Sequence, residues 1–149
     1  MDTLSQSIVE LCEAVWSQTL ELPLVHAPES EASPGASIQG RVQITGTWTG
    51  AIVLQCSPAF ASDAARRIFG DGDLPPSQDD IRDTISELTN ILGGNLKAVL
   101  SNGGCQLSFP TVFEEQDFSL SVPGTRTVAR DAFVCGTAPI VVTVLKAVS

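Results

Sequence analysis

A chain of 149 residues is long enough for one domain with a sizeable core, because a polypeptide of this size buries about 68–70% of its unfolded surface. Seventeen acidic against eight basic residues leave a formal net charge of −9, which argues against DNA, RNA or an anionic membrane as partner. No apolar stretch approaches the roughly 20 residues of a membrane span, and four scattered cysteines with a single histidine offer no metal-binding spacing.

The N-terminal stretch MDTLSQSIVELCEAVW is acidic and amphipathic, without the basic start and apolar run of a secretory signal, so a cytoplasmic location is expected. Buried free thiols are the expected state of Cys12, Cys56, Cys105 and Cys135 in such a reducing compartment, with two disulfides as the lesser alternative. Leu4, Ile8, Leu11, Cys12 and Val15 keep a helical period, which predicts a first helix over residues 3–20 that Pro23 ends. Residues 26–35, rich in proline, serine and acid, read as a connecting loop, with His26 a solvated residue rather than a general base.

From residue 37 the pattern turns to alternating, β-branched positions, IQGRVQITGTWTGAIVLQC. It predicts a hairpin turning at residues 46–50, with Trp48 either an exposed contact near the turn or, the commoner outcome, a ring packed on the sheet. Ser57 as cap, Pro58 in the first turn and Gly70 as stop frame a short second helix, whose Arg66 and Arg67 complement the C-terminal end of the helix dipole. Residues 71–78 read as a turn and linker. Their Asp-Gly-Asp lacks the alternating ligands of a calcium loop, so no metal is expected there.

Residues 79–102 form the longest segment with a clear helical period, and residues 101–104, Ser-Asn-Gly-Gly, end it. Ile81, Ile85, Leu88, Leu92, Leu96 and Val99 recur at three- and four-residue steps and make one apolar stripe for a core. The opposite side carries Asp83, Glu87, Asn90 and Gly94: two acids, a carboxamide and a residue without a side chain. Solubility alone would account for any one of them. As a set they suggest a docking face, because paired glycines at 93 and 94 cost a helix about 1 kcal/mol each and mark a place where another backbone comes close.

Three strand-like runs follow, at residues 105–115, 125–135 and 138–148, the last two separated by Gly136-Thr137 as a hairpin. The order of elements gives an α+β fold in which helices cover an antiparallel or mixed β-sheet. The nearly all β-branched final run predicts a well-buried strand.

The spacing Asp83-x3-Glu87-x2-Asn90, continued as NILGGNLKAVLSNGG and followed by LSFPTVF with Pro110, resembles the CheC/CheX/FliY family of chemotaxis phosphatases. The likeness is greatest to the CheX-like single-motif branch and covers residues 79–113. The first helix holds Glu10 and Glu13 but no asparagine after them, so a second motif of the CheC kind is absent. The resemblance implies a phosphatase that hydrolyses the aspartyl-phosphate of a CheY-like receiver domain in chemotaxis or related two-component signalling.

In that reading Asn90 and Glu87 are the catalytic pair. Asn90 holds the attacking water and Glu87 pairs with the receiver's lysine, while Asp83, Gly94 and Pro110 support or dock. No cofactor is bound by this chain, and Mg²⁺ is expected on the phosphorylated receiver. The rival reading is a noncatalytic CheX-like module that binds a receiver or a flagellar switch protein. An unrelated α+β domain with a chance motif stands beside both. A homodimer through the sheet is expected as well, from the exchange of strands between CheX-like subunits and from the long apolar run 140–148, which would be poor to leave at an open edge.

Overall fold

Asp2 opens the first helix, its carboxylate accepting a hydrogen bond from the Ser5 backbone N–H at 2.8 Å. In the computed structural model, which describes residues 2–27, 35–70, 74–101 and 104–148, helix α1 spans Thr3–Val15. It continues as a π-helical turn, Trp16–Leu20, and stops at Glu21, the one non-glycine residue with positive φ (56°) among those described. The stop therefore comes two residues before Pro23. Helix α2, Pro58–Phe69, begins as its sequence predicts: the Ser57 hydroxyl accepts from the Phe60 N–H at 3.2 Å. Helix α3 runs from Gln78 to Ser101.

Seven strands among the described residues form one wholly antiparallel sheet: β1 (Val25–His26), β2 (Ser37–Gly46), β3 (Gly50–Cys56), β4 (Cys105–Leu107), β5 (Thr111–Glu115), β6 (Thr125–Cys135) and β7 (Ala138–Ala147). Their order is β1-β6-β7-β3-β2, with β4 and β5 sharing the outer edge of β2. All three helices contribute to one apolar core against a single face of this sheet. Ile8, Cys12 and Trp16 come from the N-terminal helix, Phe60, Ala61 and Ala64 from α2, and Ile85, Leu88, Leu92 and Leu96 from α3. They meet Val42, Ile52, Leu54, Phe133, Ile140, Val142 and Val144 of the strands.

The opposite face is covered by the connection from β5 to β6. Phe118 packs with Ala132 and Val141, and Leu120 and Val122 lie on Ala51, Val53 and Leu145. Beneath it the buried Gln55 amide donates to the Phe118 carbonyl at 2.9 Å, and the Ser37 hydroxyl to the Asp117 carbonyl at 2.6 Å. Trp48 packs half-buried against the helix-side core, the commoner of the two outcomes open to it.

Four expectations change. Residues 105–115 form two strands rather than one, because Pro110 cannot donate to the ladder and residues 108–110 leave it. Strand β7 is not an edge but lies between β6 and β3, so the open-edge reason for a homodimer falls away. His26 is not a solvated loop residue. It pairs with Phe133 across β1 and β6, and its Nε2 lies 3.6 Å from Oδ1 of the buried Asp131. Val99 leaves the apolar stripe and is 46% exposed, because the stripe steps from Leu96 by four residues to Leu100, which packs on the core in its place. The loop residues 28–34, the Asp-Gly-Asp at 71–73, and Asn102 and Gly103 lie outside the described residues.

The four cysteines are buried and unpaired. Burial pushes the Cys12 and Cys56 thiols up, which keeps them protonated and poor nucleophiles.

Candidate active site on helix α3

Helix α3 is launched by a reciprocal cap: the Asp80 N–H donates to the Ser77 hydroxyl at 3.0 Å, and the Ser77 N–H to the Asp80 carboxylate at 3.4 Å. Its inner face is then locked to the sheet at three points. A Cβ on Gly40 of β2 would collide with the Thr89 hydroxyl, so the glycine is what lets the helix settle on that strand. Thr89, fully buried, satisfies its hydroxyl on the Ile85 carbonyl at 2.6 Å. One turn further, a Cβ on Gly93 would lie 2.8 Å from Val42 Cγ2 and 3.2 Å from Leu107 Cδ1. Near the start of the helix, Arg82 Nη1 donates to the Val112 carbonyl of β5 at 3.0 Å.

With the inner face fixed, Asp83, Glu87, Asn90 and Gly94 all emerge exposed on the other side. The structure thus brings together four of the five residues singled out in the sequence. Among the described residues, no hydrogen bond or ion pair engages the side chains of Asp83, Glu87 or Asn90. The contrast with Asn95 is informative, because that carboxamide folds back onto its own helix and donates to the Ile91 carbonyl at 2.9 Å. The Asn90 carboxamide keeps both its donor and its acceptor free for a molecule outside the chain.

Pro110, the fifth residue, stands on the flanking sheet edge. It lies in the gap between β4 and β5, where its missing N–H forfeits no ladder bond. In the same gap the Ser108 N–H donates to the Gln43 carbonyl at 2.9 Å, and the Ser108 hydroxyl accepts from the Gln43 N–H at 2.8 Å. The two glycines of α3 separate in role. Gly93 is the close approach inside the molecule, whereas a Cβ on Gly94 would meet open space. The Gly40–Thr89 seat and the Arg82 tether had no signal in the spacing of α3, since their partners lie on other elements.

The resulting face is an exposed helix surface, and among the described residues no group of three or more His, Cys, Asp or Glu side chains is placed to hold a metal ion. It suits a task in which a protein partner carries the reacting group to it. Its own offer is one carboxamide that can orient a water and two carboxylates that can pair with a cation.

The family profile described as chemotaxis phosphatase CheX matches residues 38–133 of the chain. Among solved structures the chain is similar to the chemotaxis protein CheX of Desulfovibrio desulfuricans, with a TM-score of 0.78 at 21% identity, covering 97% of this chain and 100% of that one. A CheX–CheY–BeF3–Mg²⁺ complex from Borrelia burgdorferi gives a TM-score of 0.71 at 14% identity, over 96% and 97% of the two chains. The FliM middle domain of Vibrio alginolyticus gives 0.60 at 11% identity, over 97% and 90%. Comparison with curated proteins returned no significant match. At these identities the structural likeness speaks for the fold alone.

Proposed function

The chain belongs to the CheX chemotaxis phosphatase family, and from that premise we propose that it hydrolyses the aspartyl-phosphate of a response-regulator receiver domain. The observation that carries the reading is the free, outward carboxamide of Asn90, one turn from the exposed Glu87 on a helix whose other face is locked to the sheet. The CheX–CheY pairing in the Borrelia burgdorferi complex supports a receiver as the partner.

Hydrolysis of an acyl phosphate needs chiefly a water held in line with the phosphorus and stabilisation of spreading negative charge. A Mg²⁺ ion held by the receiver would supply that stabilisation. Asn90 accepts from and donates to the attacking water without adding negative charge beside the phosphate. Glu87 pairs with the lysine of the receiver's phosphorylation site, a charge-assisted contact that sets the register of α3 against it. Asp83, one turn earlier, adds to the same negative strip and orients rather than reacts. The bare backbone at Gly94 leaves room for a loop of the receiver.

A second reading, a noncatalytic module that binds a receiver or a switch protein, draws on the fold shared with the FliM middle domain. The two readings part on turnover. Phosphorylated receivers from the same cell are mixed with the purified chain and loss of phosphate is followed; acceleration is expected for at least one. Binding without acceleration on every receiver would leave the module as the better description.

A further inference from the structure

Phe109 is 95% exposed, and the surrounding fold gives no reason for it to be. Its neighbours along the chain are all used. Leu107 and Val112 pack against the helix-side core, Phe118 is buried on the opposite face, and Phe113 lies under the Arg41 guanidinium, 5.0 Å from its ring centre. The break between β4 and β5 already blunts this sheet edge, since Pro110 and the departure from the ladder guard against edge-to-edge pairing. Any small polar residue at position 109 would serve that purpose equally well.

The backbone that carries the ring is held firmly. Ser108 exchanges two hydrogen bonds with the Gln43 main chain, Pro110 fixes its own φ, and the Val112 carbonyl is tied by Arg82. An aromatic side chain on a fixed backbone loses little freedom when it is covered, which is how interface anchors behave.

Its position relative to α3 names the occupant. Leu107, two residues before Phe109, touches the helix at Gly93, and Arg82 reaches Val112, three residues after it. The gap holding Phe109 therefore runs beside the stretch of α3 that carries Asp83, Glu87 and Asn90. At about 100° per residue, Asn90 is turned only about 60° from Gly93, so the carboxamide opens toward this edge.

We propose that Phe109 is the apolar anchor of the docking surface, covered by the receiver domain when its phosphorylated aspartate is brought to Asn90. This rests on the receiver reading given above and deepens it: the cognate receiver must present an apolar patch beside its phosphorylation site, on the side facing β4 and β5. The acidic strip of α3 and the aromatic edge then read two different features of one partner, a cation and an apolar surface.

The test separates docking from chemistry. Turnover of phosphorylated receiver and binding of its beryllofluoride form are measured for the wild-type protein, Phe109→Ala and Phe109→Trp, alongside sedimentation of each protein alone. Phe109→Ala is expected to raise KM and weaken binding by about tenfold or more, with kcat held within about twofold, while Phe109→Trp stays near wild type. An unchanged KM and unchanged binding for Phe109→Ala would overturn the anchor and leave the phosphatase reading standing. So would a change confined to self-association, which would assign the ring to a second copy of the chain. Failure of the wild-type protein to bind or turn over any receiver from its own cell would overturn both.

Discussion

Gly40 and Thr89 are seated against each other: the space a Cβ would fill on strand β2 holds the hydroxyl of helix α3, one residue before Asn90. Gly40→Ala is therefore expected to lift α3 from the sheet and lower unfolding free energy by about 1–3 kcal/mol, the usual effect of overpacking a close contact. Combining it with Thr89→Ala should lose less than the sum of the two changes, since the second removes the atom with which the first collides. Denaturant unfolding of the single and double variants measures this. Strict additivity would mean that the two residues do not share the seat.

Gly93 and Gly94 are adjacent in sequence and should respond oppositely to alanine. At Gly93 the new methyl meets Val42 and Leu107, and the fold should lose stability. At Gly94 it meets nothing, so the substitution should raise stability by up to about 1 kcal/mol through helix propensity. Receiver turnover by Gly94→Ala should nevertheless fall, if bare backbone at that point is what the receiver's loop requires. A Gly94→Ala protein both less stable than wild type and equally active would contradict both halves.

The outer face of α3 was legible in the sequence because it depends on one element only. A 3.6-residue period fixes which side chains share a face, and Asp83, Glu87, Asn90 and Gly94 emerge together. What failed to show depends on pairing between elements. The break at residues 108–110 and the seat of α3 on Gly40 require the register of β2 against its neighbours, which no local pattern encodes. The final strand read correctly as buried, yet the same β-branched run gives no sign of whether it lies at the centre or the edge of a sheet. His26 was misread for a similar reason, its neighbours on β6 being more than a hundred residues away.

That neighbourhood carries a pH dependence. Asp131 faces the N-terminal end of α1 from β6, with its side chain 6% exposed. Burial raises its pKa above the ordinary carboxylate value, outweighing the Ser5 hydroxyl and His26, both of which favour the charged form, while Asp2 adds to the rise. A carboxyl that holds its proton more tightly folded than unfolded destabilises the fold as pH rises through the ordinary carboxylate range, near pH 4, toward the raised value. Below that range both states are protonated and no penalty exists. Asp131→Asn removes the titration. Its thermal midpoint relative to wild type should therefore move in the variant's favour between about pH 3 and pH 7. A relative midpoint that moves the other way over this range would show that His26 pairing, rather than burial, governs Asp131.

Asn90 and Glu87 should separate chemistry from docking. If the Asn90 carboxamide positions the attacking water, its contact matters mainly in the transition state. Asn90→Ala should then abolish acceleration of receiver dephosphorylation while complex formation stays largely intact. Glu87→Ala should weaken both, since it takes one side of a charge pair and leaves the receiver's lysine without its partner. Neither change should alter stability by more than about 0.5 kcal/mol, because both side chains are exposed and make no hydrogen bond or ion pair among the described residues. That small effect makes the activity data interpretable, as lost turnover could not be blamed on unfolding. The decisive comparison is turnover against binding of the same receiver for wild type and the two variants. Wild-type turnover by Asn90→Ala would remove the water-positioning role. Equal loss of binding by both variants would turn the strip from Glu87 to Asn90 into a docking surface alone.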